Sequence, residues 1–598
     1  LANVRSAIGV TIALVVLAAA APAARGGALP EAQLLLLPPQ TTVAELAKAG
    51  LSPGLMSAGL GKVPAAQTYL DIGQGNRVFD SLYDEDLPPR DGRPAAWWRA
   101  VEERAESAPA DIVPGLLRST LRQAGIPAGR FKIRKADLQA LPRESRELVI
   151  ALARPSGSSD APLPIGIAGA GFDGNLTSDS TRINGYVLST DLAPTVLGHF
   201  GVPIPPEMSG QPIRSEGEVD PAAIESLDAR MAVISHRRGP VIGLNIVIWL
   251  AALALVALLS RGRLARPGVR VVGLALVYLP LVLLVGAALE PGETAERLLV
   301  LLLAPLLAGA TLLPLRGYRA LAVASALTAV AYAVDVGAGS PLTSLSLLGP
   351  NPGLGVRFYG IGNELEALLA VLVTAGAGAA LAGFAPRASG RAAAVVFLAI
   401  GLLAAFVFAA GRFGADVGAA IVFPLGAVVA AVTVAGRGRR PLLLAAVAAP
   451  VAVLALLALV DLASGANAHL TRSVLDAGGL GDLADVAQRR LQLSAHSFAR
   501  PVLLAFLPLV ALLALFAYRR RGRLGAWTAA VPAMRAGLIG ALAATVVGTL
   551  ANDSGALVLE IGAAYLLVFT GFAWAEAAAN SGESRPADEK LQSRMPRV

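Results

Sequence analysis

Four short polar stretches interrupt the apolar second half of this 598-residue chain. The first, GVRFYGIGNELE at residues 355–366, gathers Arg357, Tyr359, Asn363, Glu364 and Glu366 around three glycines. The second, GRFGADVG at residues 411–418, offers Arg412 and Asp416, and the third, NDSG at residues 552–555, offers Asn552 and Asp553. The fourth reads as an amphipathic helix over residues 482–500 carrying Arg489, Arg490, His496 and Arg500. Carboxylates of this kind serve as general bases or cation ligands, and arginines hold phosphate oxygens through paired N–H donors. Glu364, Asp416 and Asp553 are therefore the candidate catalytic groups. Arg357, Tyr359, Asn363, Glu366, Arg412, Arg489, Arg490, His496, Arg500 and Asn552 are the candidate substrate contacts.

Each stretch also has a plain structural reading. Asn363 would cap a helix, Arg412 would pair with Asp416, and NDSG is ordinary turn composition. The fourth stretch would lay a basic face on lipid headgroups. Function is favoured at the first stretch, because Glu364 and Glu366 enter the edge of an apolar run, where an unpaired charge is costly. His469 and His496 stand too far apart to suggest a metal, and no metal or cofactor is expected.

The elements that carry these stretches are membrane spans. The chain is 55% hydrophobic and 15% charged, against about 25% charge in soluble domains. Eleven apolar runs follow residue 241, at about 242–259, 271–289, 297–314, 317–334, 364–383, 392–410, 417–435, 441–460, 501–517, 530–551 and 555–575. Each approaches the roughly 20 residues that cross a bilayer. Every second connection is basic: Arg261–Arg270, Arg316–Arg319, Arg387–Arg391, Arg437–Arg440 and Arg519–Arg523. The positive-inside rule assigns these to the cytoplasm, and all four polar stretches to the other face. The net charge of +8 thus reports topology, and a nucleic-acid partner is not expected. With no cysteine, disulfides, thiolate metal sites and cysteine nucleophiles are excluded.

Residues 1–25 contain Arg5 and an apolar run from Ile8 to about Ala20, then small residues. Both a cleaved signal peptide and a retained anchor fit, and the near-spanning length favours the anchor. Residues 26–240 carry the turns and charges of a soluble domain. Leu34–Leu37, Glu147–Ala153 and Leu163–Ala168 read as buried strands, and Thr42–Lys48, Ala95–Ala105 and Val113–Ala124 as helices. The alternation implies an extracytoplasmic α/β domain with a mainly parallel sheet. A transmembrane domain over residues 241–576 and a disordered cytoplasmic tail over 577–598 complete the expected order.

The segment STDLAPTVLGHFGVPIP at residues 189–205, followed by MSGQP at 208–212, resembles the C-terminal part of the alkaline phosphatase–sulfatase superfamily. In that likeness Thr190 or Asp191 caps the helix that follows, Gly201 to Pro203 end it, and residues 54–57 and 69–77 are loops after the first strand. The resemblance implies a two-metal phosphatase fold. However, the Asp expected after the first strand is replaced by Pro38-Pro39-Gln40, and no His stands near residues 159–163. Metal catalysis needs several preorganised ligands, so the domain is read as a truncated, catalytically degenerate copy. Anchor, phosphatase-like domain and polytopic bundle together are similar to the GPI ethanolamine phosphate transferases in layout, and to bacterial membrane proteins with RFYGIGNE-like and NDSG-like segments. Whether the chain is an enzyme stays open. The leading expectation is an outward-facing site for a lipid-linked or phosphorylated envelope precursor, possessing membrane lipids as partners. A secondary transporter or flippase is the alternative, and a metal-dependent phosphotransferase the third reading.

Overall fold

The computed structural model describes residues 30–583 except 90–93, 109, 141–146, 412, 437–443, 445–447, 449–450, 454–490, 493, 496, 500–506 and 520. The expected signal segment, most of the span at 441–460, the first six residues of the span at 501–517, most of the amphipathic helix and most of the tail lie outside the described residues.

The first part is an α/β domain. Strands β1 (Ala32–Leu37), β2 (Ser52–Ser57), β4 (Phe131–Lys135), β5 (Leu148–Ala153), β7 (Leu163–Ala168) and β9 (Tyr186–Leu188) form one sheet in the order β4-β1-β5-β7-β2-β9. Only β7 runs against the others. The apolar runs of β5, β7 and the Leu34–Leu37 part of β1 bury both faces of the sheet centre, as a helix-covered sheet requires. Two small antiparallel pairs flank it: β3 (Val63–Pro64) with β6 (Ser158–Ser159), and β8 (Asn175–Ser178) with β10 (Ile213–Glu216). Helices α1 (Val43–Lys48), α2 (Ala65–Gln74), α4 (Leu116–Gln123) and α5 (Leu192–His199) pack about the sheet, while α3 (Pro94–Glu106) packs Ala105 against Val78, Tyr83 and Ile112 in a small cluster of its own. Thr42 starts α1 with a capping box, its Oγ1 accepting from Glu45 N while Glu45 accepts from Thr42 N.

Two expectations are corrected here. Residues 54–57 and 69–74 are not loops: the first lie in the buried strand β2 and the second in α2. Pro53 sits in the half of β2 that pairs with β7 alone, since β9 begins opposite Leu55, so its missing N–H interrupts no ladder on that side. Helix α2 stops at Gly75, whose φ of 64° favours glycine.

The domain joins the bundle through one unbroken helix. Asp220 accepts from Ala223 N and caps α6 (Pro221–Arg237), a π-helical turn follows over Arg238–Gly243, and α7 (Leu244–Leu259) continues it. The 39-residue rod from Pro221 to Leu259 therefore starts well before the span expected at 242. Glu296, fully buried, ties it down, pairing with Arg230 and Arg237 at 2.9 Å each.

Eight more helices of spanning length follow among the described residues, with two shorter ones between them: α8 (Ala265–Leu289), α9 (Glu293–Leu312), α10 (Tyr318–Gly337), α11 (Asn363–Phe384), α12 (Gly390–Ala409), α13 (Val417–Val434), the shorter α14 (Leu507–Arg519) and α15 (Arg521–Ala529), then α16 (Pro532–Ala551) and α17 (Gly555–Glu583). Among the described residues nine helices are long and apolar enough to cross a membrane. Leucines such as Leu258, Leu259 and Leu313 stay exposed on the outside, as lipid contact allows. The centre packs on small residues: Gly378 of α11 and Gly537 of α16 approach so closely that a Cβ on either would stand 3.2 Å from the other's Cα. This contact sets the spacing of the helices that carry the polar stretches.

Candidate functional site

Glu366 lies in the first turn of α11 and is fully buried. Its Oε2 accepts from Asn552 Nδ2 at 2.8 Å. Asn552 ends α16, and its own Oδ1 accepts from Ser554 N at 3.1 Å, so the NDSG segment is both a turn and a contact to Glu366. Two glycines leave room for the carboxylate. A Cβ on Gly418 would collide with it, and one on Gly548 would come within 3.7 Å of Oε1. Among the described residues, Oε1 has no hydrogen-bond partner.

Asp416 caps α13, its Oδ1 accepting from Gly418 N at 2.9 Å. Gly418 thus holds Asp416 with its N–H and faces Glu366 with its α-carbon. The other oxygen, Oδ2, lies 3.5 Å from Arg357 Nη1. The hydrogen bonds of Arg357 go instead to the carbonyls of Ile361 and of Ala415, the latter at 3.2 Å. The described partner of Asp416 is therefore Arg357, and the expected pairing with Arg412 lies outside the described residues. Asn363 is the first residue of α11 and not its cap, which is Gly362 without a side-chain bond. Its amide instead donates to Asp553 Oδ1 at 3.0 Å.

Glu366, Asp416, Asp553, Asn363, Asn552 and Arg357 thus converge from three separate stretches of sequence. Asp416 and Asp553 are the acidic neighbours that act on Glu366, and Arg357 the basic one. Two expected members stand apart from the centre. Glu364 pairs with Arg238 at 3.1 Å at the foot of the joining helix, where Arg238 also donates to Gly349 O at 2.8 Å. Tyr359 turns toward the α/β domain, its ring centroid 3.9 Å from the Arg182 guanidinium. Arg489, Arg490, His496 and Arg500 lie outside the described residues. Asp335 accepts from Leu342 N and Thr343 N and braces a buried loop.

The α/β domain holds two buried carboxylates of a different kind. Asp191 does not cap α5 with its side chain, contrary to expectation. It accepts from Ser178 Oγ and Ser180 Oγ at 2.6 Å, and from Leu188 N and Gln211 N at 2.9 Å. Burial still holds its carboxyl above the ordinary range against those four bonds. Asp71 accepts from the amides of Gln67 and Gln74 at 2.8 and 3.1 Å. Burial outweighs these bonds and the nearby Arg77 and Arg104, pushing it up to about 7. Among the described residues no group of three or more His, Asp or Glu side chains is spaced to hold a metal ion.

The sequence reading missed the domain-side arginines Arg77, Arg182 and Arg238. Charges inside a polar domain carry no local signal, although Arg237 and Arg238 directly before an apolar run offered one. No protein-family model, curated protein or solved structure matches the chain.

Proposed function

We propose that this chain is a multi-pass protein of the bacterial plasma membrane that handles a lipid-linked, phosphorylated envelope precursor at the extracytoplasmic end of its bundle. The observation that carries the reading is the convergence of Glu366, Asp416, Asn552 and Arg357 at the helix ends beneath the α/β domain. A lipid between the helices would present its head group at this depth. Glu366 is the proton acceptor, aimed by Asn552, and Arg357, steadied by Asp416, meets the anionic head group. The alternation of basic connections supports the outward placement. The α/β domain serves as a support without metal chemistry, in keeping with an Asp191 whose two oxygens are already bonded.

A transporter or flippase is the second reading, and the acid excess of the site favours it. Around Glu366 stand Asp416 and Asp553 against the single Arg357 among the described residues, so a proton or small cation would offset the surplus charge.

The test is a lipid and metal inventory of the purified full-length protein, by mass spectrometry and elemental analysis, beside E366Q and D416N. Co-purifying polyprenyl phosphate that falls in both variants supports the precursor reading. Absence of lipid, with ion or lipid flux in proteoliposomes lost in the same variants, moves the assignment to transport. Stoichiometric metal and a phosphotransfer activity abolished by chelation would overturn both.

A further inference from the structure

One arginine of the α/β domain reaches across two of the three segments that build the membrane site. Arg182 lies in the turn between β8 and β9 at a φ of 56°, a left-handed conformation that a non-glycine residue seldom adopts. The turn is held from several sides. Ser178 and Ser180 donate to Asp191, Thr181 Oγ1 donates to Tyr186 O at 2.6 Å, and Arg182 N donates to Ser178 O at 2.8 Å. So fixed, the Arg182 guanidinium stacks on Tyr359 at 3.9 Å and donates from Nη2 to Gly411 O at 3.1 Å. Tyr359 belongs to the loop that carries Arg357. Gly411 belongs to the turn that carries Asp416.

The two segments also meet directly, through Ile361 N donating to Gly414 O at 3.2 Å and Arg357 donating to Ala415 O. A second domain arginine steadies the far end of the loop: Arg77 Nη2 donates to Gly355 O at 2.7 Å, and Gly61 N donates to Leu354 O at 3.0 Å. Phe358, between Arg357 and Tyr359, packs into the domain beside Tyr186. Successive residues of the loop therefore serve different bodies: Arg357 the site, Phe358 and Tyr359 the domain.

We propose that Arg182 is a positioning residue of the membrane site, clamping the Tyr359 loop onto the Gly411 turn so that Arg357 is held on Asp416 beside Glu366. The α/β domain then controls the site without entering it, and the Asp191 network exists to aim Arg182. This inference rests on the reading of the Arg357–Asp416–Glu366 cluster as the working site. The ion pair is the sensitive link, because at 3.5 Å it is a charge contact in which Asp416 Oδ2 has no hydrogen bond among the described residues, and a small shift of either segment weakens it further.

The experiment uses the full-length protein in lipid nanodiscs, with the Asp416 carboxyl band identified in infrared difference spectra as the one that D416N removes. R182A and Y359A are expected to shift that band and to lower retention of polyprenyl phosphate by about tenfold. Y359F, which keeps the ring, is expected to match the wild type. K132A, which breaks an ion pair with Glu31 at the opposite edge of the sheet, controls for general damage and is expected to leave the band unmoved. A wild-type band in both R182A and Y359A, or a Y359F that behaves like Y359A, overturns the proposal. Should R182A fail to fold, the Y359A and Y359F pair decides. If the band shifts in R182A while E366Q and D416N leave lipid retention intact, the clamp stands and the functional reading falls.

Discussion

Asp191 in the α/β domain and Glu366 in the bundle are both buried carboxylates, yet their surroundings are opposite. Asp191 receives four hydrogen bonds, two from serine hydroxyls and two from backbone N–H groups. Glu366 receives one, from Asn552, and its second oxygen has no partner among the described residues. A carboxylate with every lone pair engaged holds structure together. One left half-engaged in a low-dielectric place costs stability, and such costs are commonly kept where a group must bind or exchange something. Glu296 falls on the Asp191 side of this divide, with an arginine on each oxygen.

The comparison can be broken by measuring what each group contributes. The largest loss is expected at Glu296. E296A leaves the buried Arg230 unpaired and should cost roughly 3–5 kcal/mol, read as a lower melting midpoint in detergent. D191A comes next at about 3 kcal/mol, since it strands two hydroxyls and two N–H donors. It should also reproduce the spectroscopic effect of R182A if the turn loosens before the protein unfolds. E366Q should change stability by about 1 kcal/mol or less, because glutamine still accepts from Asn552, while function is lost. If E366Q destabilises as strongly as D191A, Glu366 is a structural residue and the contrast fails.

The smallest effect is a slope with pH. Asp71 keeps its proton in the native protein up to about 7, whereas the unfolded chain releases it near 3.8. Between those values the native state binds more protons, so stability falls as pH rises from about 4 to about 7, by at most about 1.4 kcal/mol per pH unit. Melting midpoints of D71N across that window should show a correspondingly flatter dependence than the wild type. An unchanged slope would assign the effect to another group.

Much of this arrangement is legible in the residues. β5, β7 and the Leu34–Leu37 part of β1 are unbroken apolar runs, and α1 announces itself by Thr42 and Glu45 three residues apart. β2 escapes because Ser52, Pro53 and Gly54 disguise a central strand. Gly54 is small for a reason visible only in three dimensions, since a Cβ there would press to 2.9 Å from that of Leu176. Glu366, Asp416 and Asn552 stand out because polar groups at the edge of long apolar helices are expensive. Their mutual contact across 186 residues, from Asn552 to Glu366, is written in no local pattern. Arg182 and Gly411 are 229 residues apart, and nothing in either neighbourhood hints at the other.

The unbroken rod from Pro221 to Leu259 fixes something besides attachment. At about 1.5 Å per residue its 39 residues span roughly 58 Å, about twice the bilayer core. A flexible linker would let the α/β domain face any direction, whereas a continuous helix works as a keyed shaft that sets its compass bearing. Each residue advances that bearing by about 100°. The π-helical turn at Arg238–Gly243 is thus a place where the phase between domain and bundle is set. Adding or removing a single alanine there would swing Arg182 more than a quarter of a revolution away from Tyr359, about 100°, with every residue of the site itself left untouched.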